Sequence, residues 1–266
     1  MLRYSFYLFL ILLVSSCHKN ELTGRRGLNL ISEPELDKYS AQEYQKILDS
    51  NVVLPDNDAS VIRVRTIGLK IKNAVEQFYA SKGSSNTLDG FNWEFNVVKD
   101  DSIFNAFCMP GGKVIVYTKL LREMEDDSML AFVMSHEISH AIARHGNKRM
   151  SHALMVNFGQ KTLSLALIAA PYLVRKIALA SFGAQAQIGM LQFSRDDEKE
   201  ADKMGLTFMA LAGYNPNSSV KLWEKMVMMN HKKSLVLLQT HPSDEKRLKL
   251  LKKNLPKALL LYTKPL

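Results

Sequence analysis

Cysteine is nearly absent from this chain, with 2 among 266 residues, Cys17 and Cys108. One internal disulfide is therefore the most it could form, and a fold stapled by several bridges is excluded. Long apolar runs are missing as well. In the first sixteen residues, MLRYSFYLFLILLVSS, a single basic residue, Arg3, precedes an apolar core from Tyr4 to Val14 that is too short for a permanent span. Thr162 to Val174 contains Pro171 and is followed by Arg175 and Lys176, so it too is short and interrupted. Internal repeats and low-complexity tracts are also lacking. What remains is a chain with 47% apolar residues, long enough to bury one sizeable core.

The leader reads as a secretion signal, and Val14, Ser15, Ser16 and Cys17 resemble a bacterial lipoprotein cleavage box. The expected organisation is a signal peptide over 1–16, a lipidated linker over 17–33 that starts at Cys17, and one domain over 34–266. Cys108 then has no partner and is a buried, inert thiol. The alternative is ordinary signal cleavage followed by a Cys17–Cys108 disulfide. The expected location is the bacterial cell envelope, with the lipid anchor in the outer membrane facing the periplasm.

Charge is uneven. Of the formal +9, the segment from Lys225 to Leu266 holds ten Lys or Arg against Asp244 and Glu245. Such a face suits anionic lipid or is simply a solvated helix surface, and it lacks the aromatic interleaving of a nucleic-acid binder. No nucleic-acid partner is expected.

Most of the chain reads as helix. Leu36–Leu48 and Val61–Tyr79, the second with apolar residues at Val61, Val64, Ile67, Ile71, Val75 and Phe78, are separated by the polar stretch NVVLPDNDAS. FNWEFNVV alternates Phe91, Trp93, Phe95 and Val97 against polar neighbours, and KVIVYT follows Pro110, Gly111 and Gly112, so both predict strands. The segment 161–183 is expected to form a helical hairpin or lid over a cleft. The methionines at 226, 228 and 229 are expected to pack in the core.

Chemistry concentrates in AFVMSHEISHAIARHG, residues 131–146. At 100° per residue, His136 and His140 project from one helix face one turn apart, a spacing that chelates one metal ion. Glu137 lies about 100° round from His136, where it can reach a water on the metal yet is poorly placed as a ligand. A shuffled chain of this composition shows HExxH about once in a hundred trials, so the motif needs a third ligand to carry weight. SRDDEKEADKMG offers one: Glu198 and Asp202 share a helix face, while Glu200 points about 200° away from Glu198. Glu198 is the expected ligand and Asp202 the acceptor that orients a ligating histidine. The competing reading is an acidic surface helix with pairs such as Arg195–Glu198. In THPSDEKR, Pro242 favours an extended or turn conformation at His241, which suits delivery of that side chain into a cleft from a loop.

Taken together, TGRRGLNLIS, NAFCMPGGKVIVYTKLL, SHEISHAIARHG, SRDDEKEAD and THPSDEKR, in this order, resemble the HtpX/Oma/Ste-type zinc metallopeptidases, metallopeptidase family 48, and in particular its small periplasmic lipoprotein members. The resemblance covers nearly the whole chain after the leader. It implies an α+β, mainly helical, zincin-like (gluzincin) fold with a small sheet whose edge strand flanks the active-site cleft. It further implies one Zn2+ per chain held by His136, His140 and Glu198, with Glu137 as general base. Asn105, Ala106 and Phe107 fall on the substrate-binding edge strand, and His241 and Arg247 fall beside the active site. The implied activity is a zinc-dependent endopeptidase that cleaves misfolded or envelope polypeptides. The alternative is a latent protease that acts mainly as a chaperone-like assembly factor for outer-membrane proteins.

Overall fold

Asp126 opens the helix around which the other elements pack. The computed structural model describes residues 17–158, 193–230, 237, 241 and 245–263. The expected leader over 1–16 and the expected hairpin over 161–183 lie outside the described residues. In chain order the elements are β1 (Cys17–Lys19), β2 (Arg26–Leu28), α1 (Glu33–Ser50), α2 (Ala59–Ser81), a 3-10 turn (Ser85–Leu88), β3 (Glu94–Val98), β4 (Ala106–Met109), β5 (Lys113–Tyr117), α3 (Thr118–Glu123), α4 (Asp127–Ile142), α5 (His145–Phe158), α6 (Arg195–Leu211), α7 (Asn217–Asn230) and α8 (Glu245–Thr263). The architecture is α+β and mainly helical. Among the described residues, no helix is long and apolar enough to cross a membrane.

The Asp126 side chain accepts from the Met129 amide at 2.7 Å, which satisfies one of the free N–H groups at the start of α4. From Met129 to His140 every residue of α4 is buried. A helix apolar on all sides must be surrounded, and α6, β4, α7 and α2 all pack on it. Met134, Leu130 and Ile138 are wholly buried at its centre. Each such side chain contributes roughly 1.5–3 kcal/mol relative to exposure.

A three-stranded sheet of order β3-β5-β4 lies beside this helix, with β3 parallel and β4 antiparallel to β5. The outer edge of β3 is partly covered, since Leu54 N donates to Val97 O and Lys99 N to Val52 O. On β4, β5 takes one side, and among the described residues no strand pairs with the other. Gly111 and Gly112 (φ +77° and +80°) make the turn between β4 and β5, a conformation that L side chains resist. A Cβ on Gly112 would also meet Trp93 at 2.8 Å. This packing explains why β3 is shorter than the alternation predicted: Phe91 and Trp93 precede the strand and stack over the turn, leaving Phe95 and Val97 as its inward residues.

Two further expectations, the linker and the methionine cluster, differ in detail, and that for Cys108 does not. Residues 17–33, read as a linker, instead hold the antiparallel β1–β2 hairpin and the start of α1. The side chain of Cys17 lies outside the described residues. Cys108 is a free thiol, and burial pushes its pKa well above the ordinary value, which leaves it protonated and inert. Met226 is buried as expected of core, whereas Met228 is 67% exposed on the other face of α7.

Gly205 sets the distance between α4 and α6. A Cβ at that position would lie 3.1 Å from the backbone N of His136 and 3.2 Å from its Cα. Backbone cannot rotate aside as a side chain can. Gly205→Ala is therefore expected to push the two helices apart, lowering stability by about 1–3 kcal/mol and weakening metal binding, as read by urea denaturation and chelator competition. Unchanged values in both measurements would show that the close approach is not what holds α6 in place.

Candidate metal centre

Two helices and one loop bring four donors together. His136 and His140 project from the same face of α4, Glu198 from the first turn of α6, and His241 from a backbone position whose N–H donates to Leu237 O at 2.9 Å. The start of α6 is fixed by a reciprocal cap: Ser194 Oγ accepts from Asp197 N while the Asp197 carboxylate accepts from Ser194 N. That cap orients the following residue, Glu198, toward α4.

His136 Nε2 is 3.1 Å from His140 Nε2 and 3.5 Å from Glu198 Oε2, and His140 Nε2 is 3.4 Å from Glu198 Oε1. For ligand bonds of 2.0–2.1 Å, the edge of a tetrahedron is about 3.3 Å. The three donors therefore stand at the mutual spacing of tetrahedral ligands, and two imidazoles with one carboxylate are a donor set suited to zinc. His241 Nδ1 joins them, 3.0 Å from Glu198 Oε1 and 3.4 Å from His136 Nε2. The donor atoms of all four residues fit within 4.8 Å of one another.

The surroundings favour positive charge at the centre. Burial alone would lower the pKa of His136, but Asp202 and Glu198 outweigh it and push it up to about 10. His140 is held well below its ordinary value by burial, so it is neutral, as a metal ligand must be. Burial raises Glu198 and Asp202, yet their neighbours prevail: His241 and then Arg247 hold Glu198 well below the carboxylate range, and Arg247 holds Asp202 below its ordinary value. Arg247 grips Asp202 through two hydrogen bonds of 2.8 Å and reaches Glu198 Oε2 at 2.6 Å. Asp202 Oδ1 in turn lies 3.0 Å from His136 Nδ1, the ring atom opposite the donor nitrogen.

Glu137 stands apart from the donor cluster. It is 3% exposed, its Oε1 is 3.5 Å from His241 Nε2, and burial raises its pKa above the ordinary value. Beside it lies a small cleft lined by Phe132, Leu222, Trp223, Met226 and Leu237 along with Arg247. Ala106 and Phe107 lie on β4, which packs on α4, and Asn105 immediately precedes it, with its Oδ1 buried and no hydrogen-bond partner for it among the described residues.

Sequence reasoning missed a second set of residues. His145 Nδ1 lies 3.0 Å from His140 Nδ1, and His145 Nε2 lies 3.1 Å from Glu200 Oε2. Thr23 Oγ1 donates to Glu200, and Arg25 Nη1 sits 2.7 Å from Glu200 and 2.6 Å from Asp197. Burial raises Glu200, but His145, Thr23 and Arg25 hold it down to about 2. The only available signal was the position of His145 five residues after His140, on a turn that begins at Arg144 with φ 56°.

A model of Peptidase family M48 matches residues 69–255. Mitochondrial metalloendopeptidase OMA1 of Saccharomyces cerevisiae is 32% identical over 218 residues, covering 79% of this chain and 60% of that protein. Its counterpart in Schizosaccharomyces pombe is 30% identical over 239 residues, covering 89% and 66%. The β-barrel assembly-enhancing protease of Escherichia coli K12 is 32% identical over 162 residues, covering 59% and 33%. The chain thus spans less than two thirds of these relatives. The expected lipid-anchored position in a bacterial outer membrane is overturned by this comparison, because relatives that match most of the chain are named mitochondrial. A short apolar stretch with one arginine before Cys17 does not distinguish between compartments.

Proposed function

The chain belongs to peptidase family M48, and on that premise we propose that it is a zinc-dependent endopeptidase in which His136, His140 and Glu198 hold one zinc ion and Glu137 is the general base. The observation that carries this reading is the spacing of the three donors, 3.1 to 3.5 Å, beside a carboxylate that is not one of them. Zinc held there supplies a Lewis acid for the scissile carbonyl and lowers the pKa of water toward neutrality. Glu137, buried and with its pKa raised, takes the proton of the attacking water and passes it to the leaving amine. His241 and Arg247 flank Glu137 and Glu198 and present positive or donor groups where negative charge develops on the substrate carbonyl.

An extended polypeptide fits β4, whose outer edge is unpaired by strand among the described residues and offers main-chain hydrogen bonds beside the catalytic helix. The apolar cleft next to Glu137 accepts an apolar side chain adjoining the scissile bond. A second reading, a latent protease that acts chiefly by binding, draws on His241 Nδ1 standing among the metal donors. Cleavage of casein separates the two. Proteolysis that is lost with a chelator and restored by zinc is the expected result; zinc bound at one per chain without cleavage, in wild type and in His241→Ala alike, would favour the binding role.

A further inference from the structure

The cluster of His145, Asp197 and Glu200 sits behind His140, away from the four donors, and its own ligand-type atoms also fall within 4.8 Å of one another. It is not a second metal site. Asp197 is already met by Arg25 at 2.6 Å and Lys148 at 2.6 Å, and Glu200 by Arg25 at 2.7 Å, so two cations neutralise the two carboxylates. The trio is instead one end of a buried chain of hydrogen bonds that terminates on His140.

The direction of that chain follows from what His140 must do. To offer Nε2 as a donor to the metal, the neutral ring carries its proton on Nδ1, and that N–H needs an acceptor. The atom facing it is His145 Nδ1, at 3.0 Å. His145 therefore accepts at Nδ1 and carries its own proton on Nε2, which points at Glu200 Oε2, 3.1 Å away. The reverse polarity would place the His140 proton on Nε2 and remove it from the ligand set. Glu200 is fixed from the far side by Thr23 Oγ1 and Arg25, both on the loop between β1 and β2. His145 and Glu200 are 1% and 7% exposed, so water does not compete freely for these bonds.

We propose that His145, backed by Glu200, Thr23 and Arg25, is a positioning residue that holds His140 in its metal-binding tautomer and orientation, making the N-terminal hairpin a structural part of the metal centre. This rests on the zinc reading above. The two ligating histidines are then held in different ways: His136 by a carboxylate gripped by Arg247, and His140 by a neutral imidazole with a carboxylate one step further out. The hairpin residues lie more than a hundred positions from the helix they support, and their removal is felt at the metal.

The test uses the full chain as wild type, His145→Leu, His145→Asn, Arg25→Ala and Thr23→Val, with zinc affinity read by chelator competition and the site geometry by the visible absorption of the cobalt-substituted protein. His145→Leu is expected to weaken zinc binding about 10- to 100-fold and to alter the cobalt spectrum. Asn places an oxygen where His145 Nδ1 stands, so His145→Asn is expected to recover much of the affinity, which a purely structural role for the ring would not produce. Arg25→Ala and Thr23→Val are expected to weaken binding by smaller factors, and they carry the test should His145→Leu fail to fold. Wild-type affinity and an unchanged cobalt spectrum in folded His145→Leu, or in both hairpin variants if it does not fold, would overturn the proposal. Absence of zinc binding in the wild type would instead overturn the zinc reading itself.

Discussion

Replacing Glu137 by Gln is expected to lower proteolysis by about 10²- to 10⁴-fold while one zinc remains bound per chain. Gln preserves the shape and volume of the side chain and removes only its ability to accept a proton. The donor cluster does not include Glu137, so the substitution leaves His136, His140 and Glu198 at their present separations. Nor does the variant lose a close pair of the kind Arg247 makes, because the contact of Glu137 with His241 Nε2 is 3.5 Å long. Casein cleavage and zinc content measured on the same preparation check both halves. Substantial residual cleavage would remove Glu137 from the role of base.

Arg247→Leu is expected to produce the largest change in stability. The guanidinium is 3% exposed, pairs with both Asp202 and Glu198, and lies 4.8 Å over the Trp223 ring. Removing it leaves two carboxylates in a buried site without their strongest fixed cation, a loss on the order of 3–5 kcal/mol. The sign with pH follows from the direction of the shifts. Glu198 and Asp202 are held below their ordinary values, so the stabilisation that Arg247 provides is present above the ordinary carboxylate range and fades as pH falls through their folded-state values. Urea denaturation of the metal-free chain at neutral pH should therefore show a large deficit that narrows on acidification. A deficit independent of pH would indicate lost packing on Trp223 as the main cause.

The helices were legible because their periodicity is written locally. Val61, Val64, Ile67, Ile71 and Val75, spaced at helical intervals, are all essentially inaccessible along α2. His136, His140, Glu198 and Asp202 were legible for the same reason, since spacing by four residues on a helix is itself a geometric statement. His145, Glu200 and the hairpin were not. Glu200 does point away from Glu198, but that face of α6 is covered by Thr23 and Arg25, which are 177 and 175 residues distant from it in sequence. A polar stretch such as TGRR carries no local sign that its threonine and second residue from it will end up against a buried carboxylate. The extent of β3 differs for a similar reason, because the alternation at Phe91 and Trp93 belongs to the residues that lie over the Gly111–Gly112 turn, where Asn92 N donates to Gly111 O, ahead of the strand itself.

The most direct test of the central claim is X-ray absorption at the zinc edge on the Glu137→Gln protein, which retains the ligands and cannot digest itself. The expected result is one zinc per chain with only nitrogen and oxygen neighbours at about 2.0–2.1 Å, imidazole scattering from His136 and His140, and loss of the metal in His136→Ala. A thiolate neighbour, or zinc that persists unchanged in His136→Ala, would contradict it.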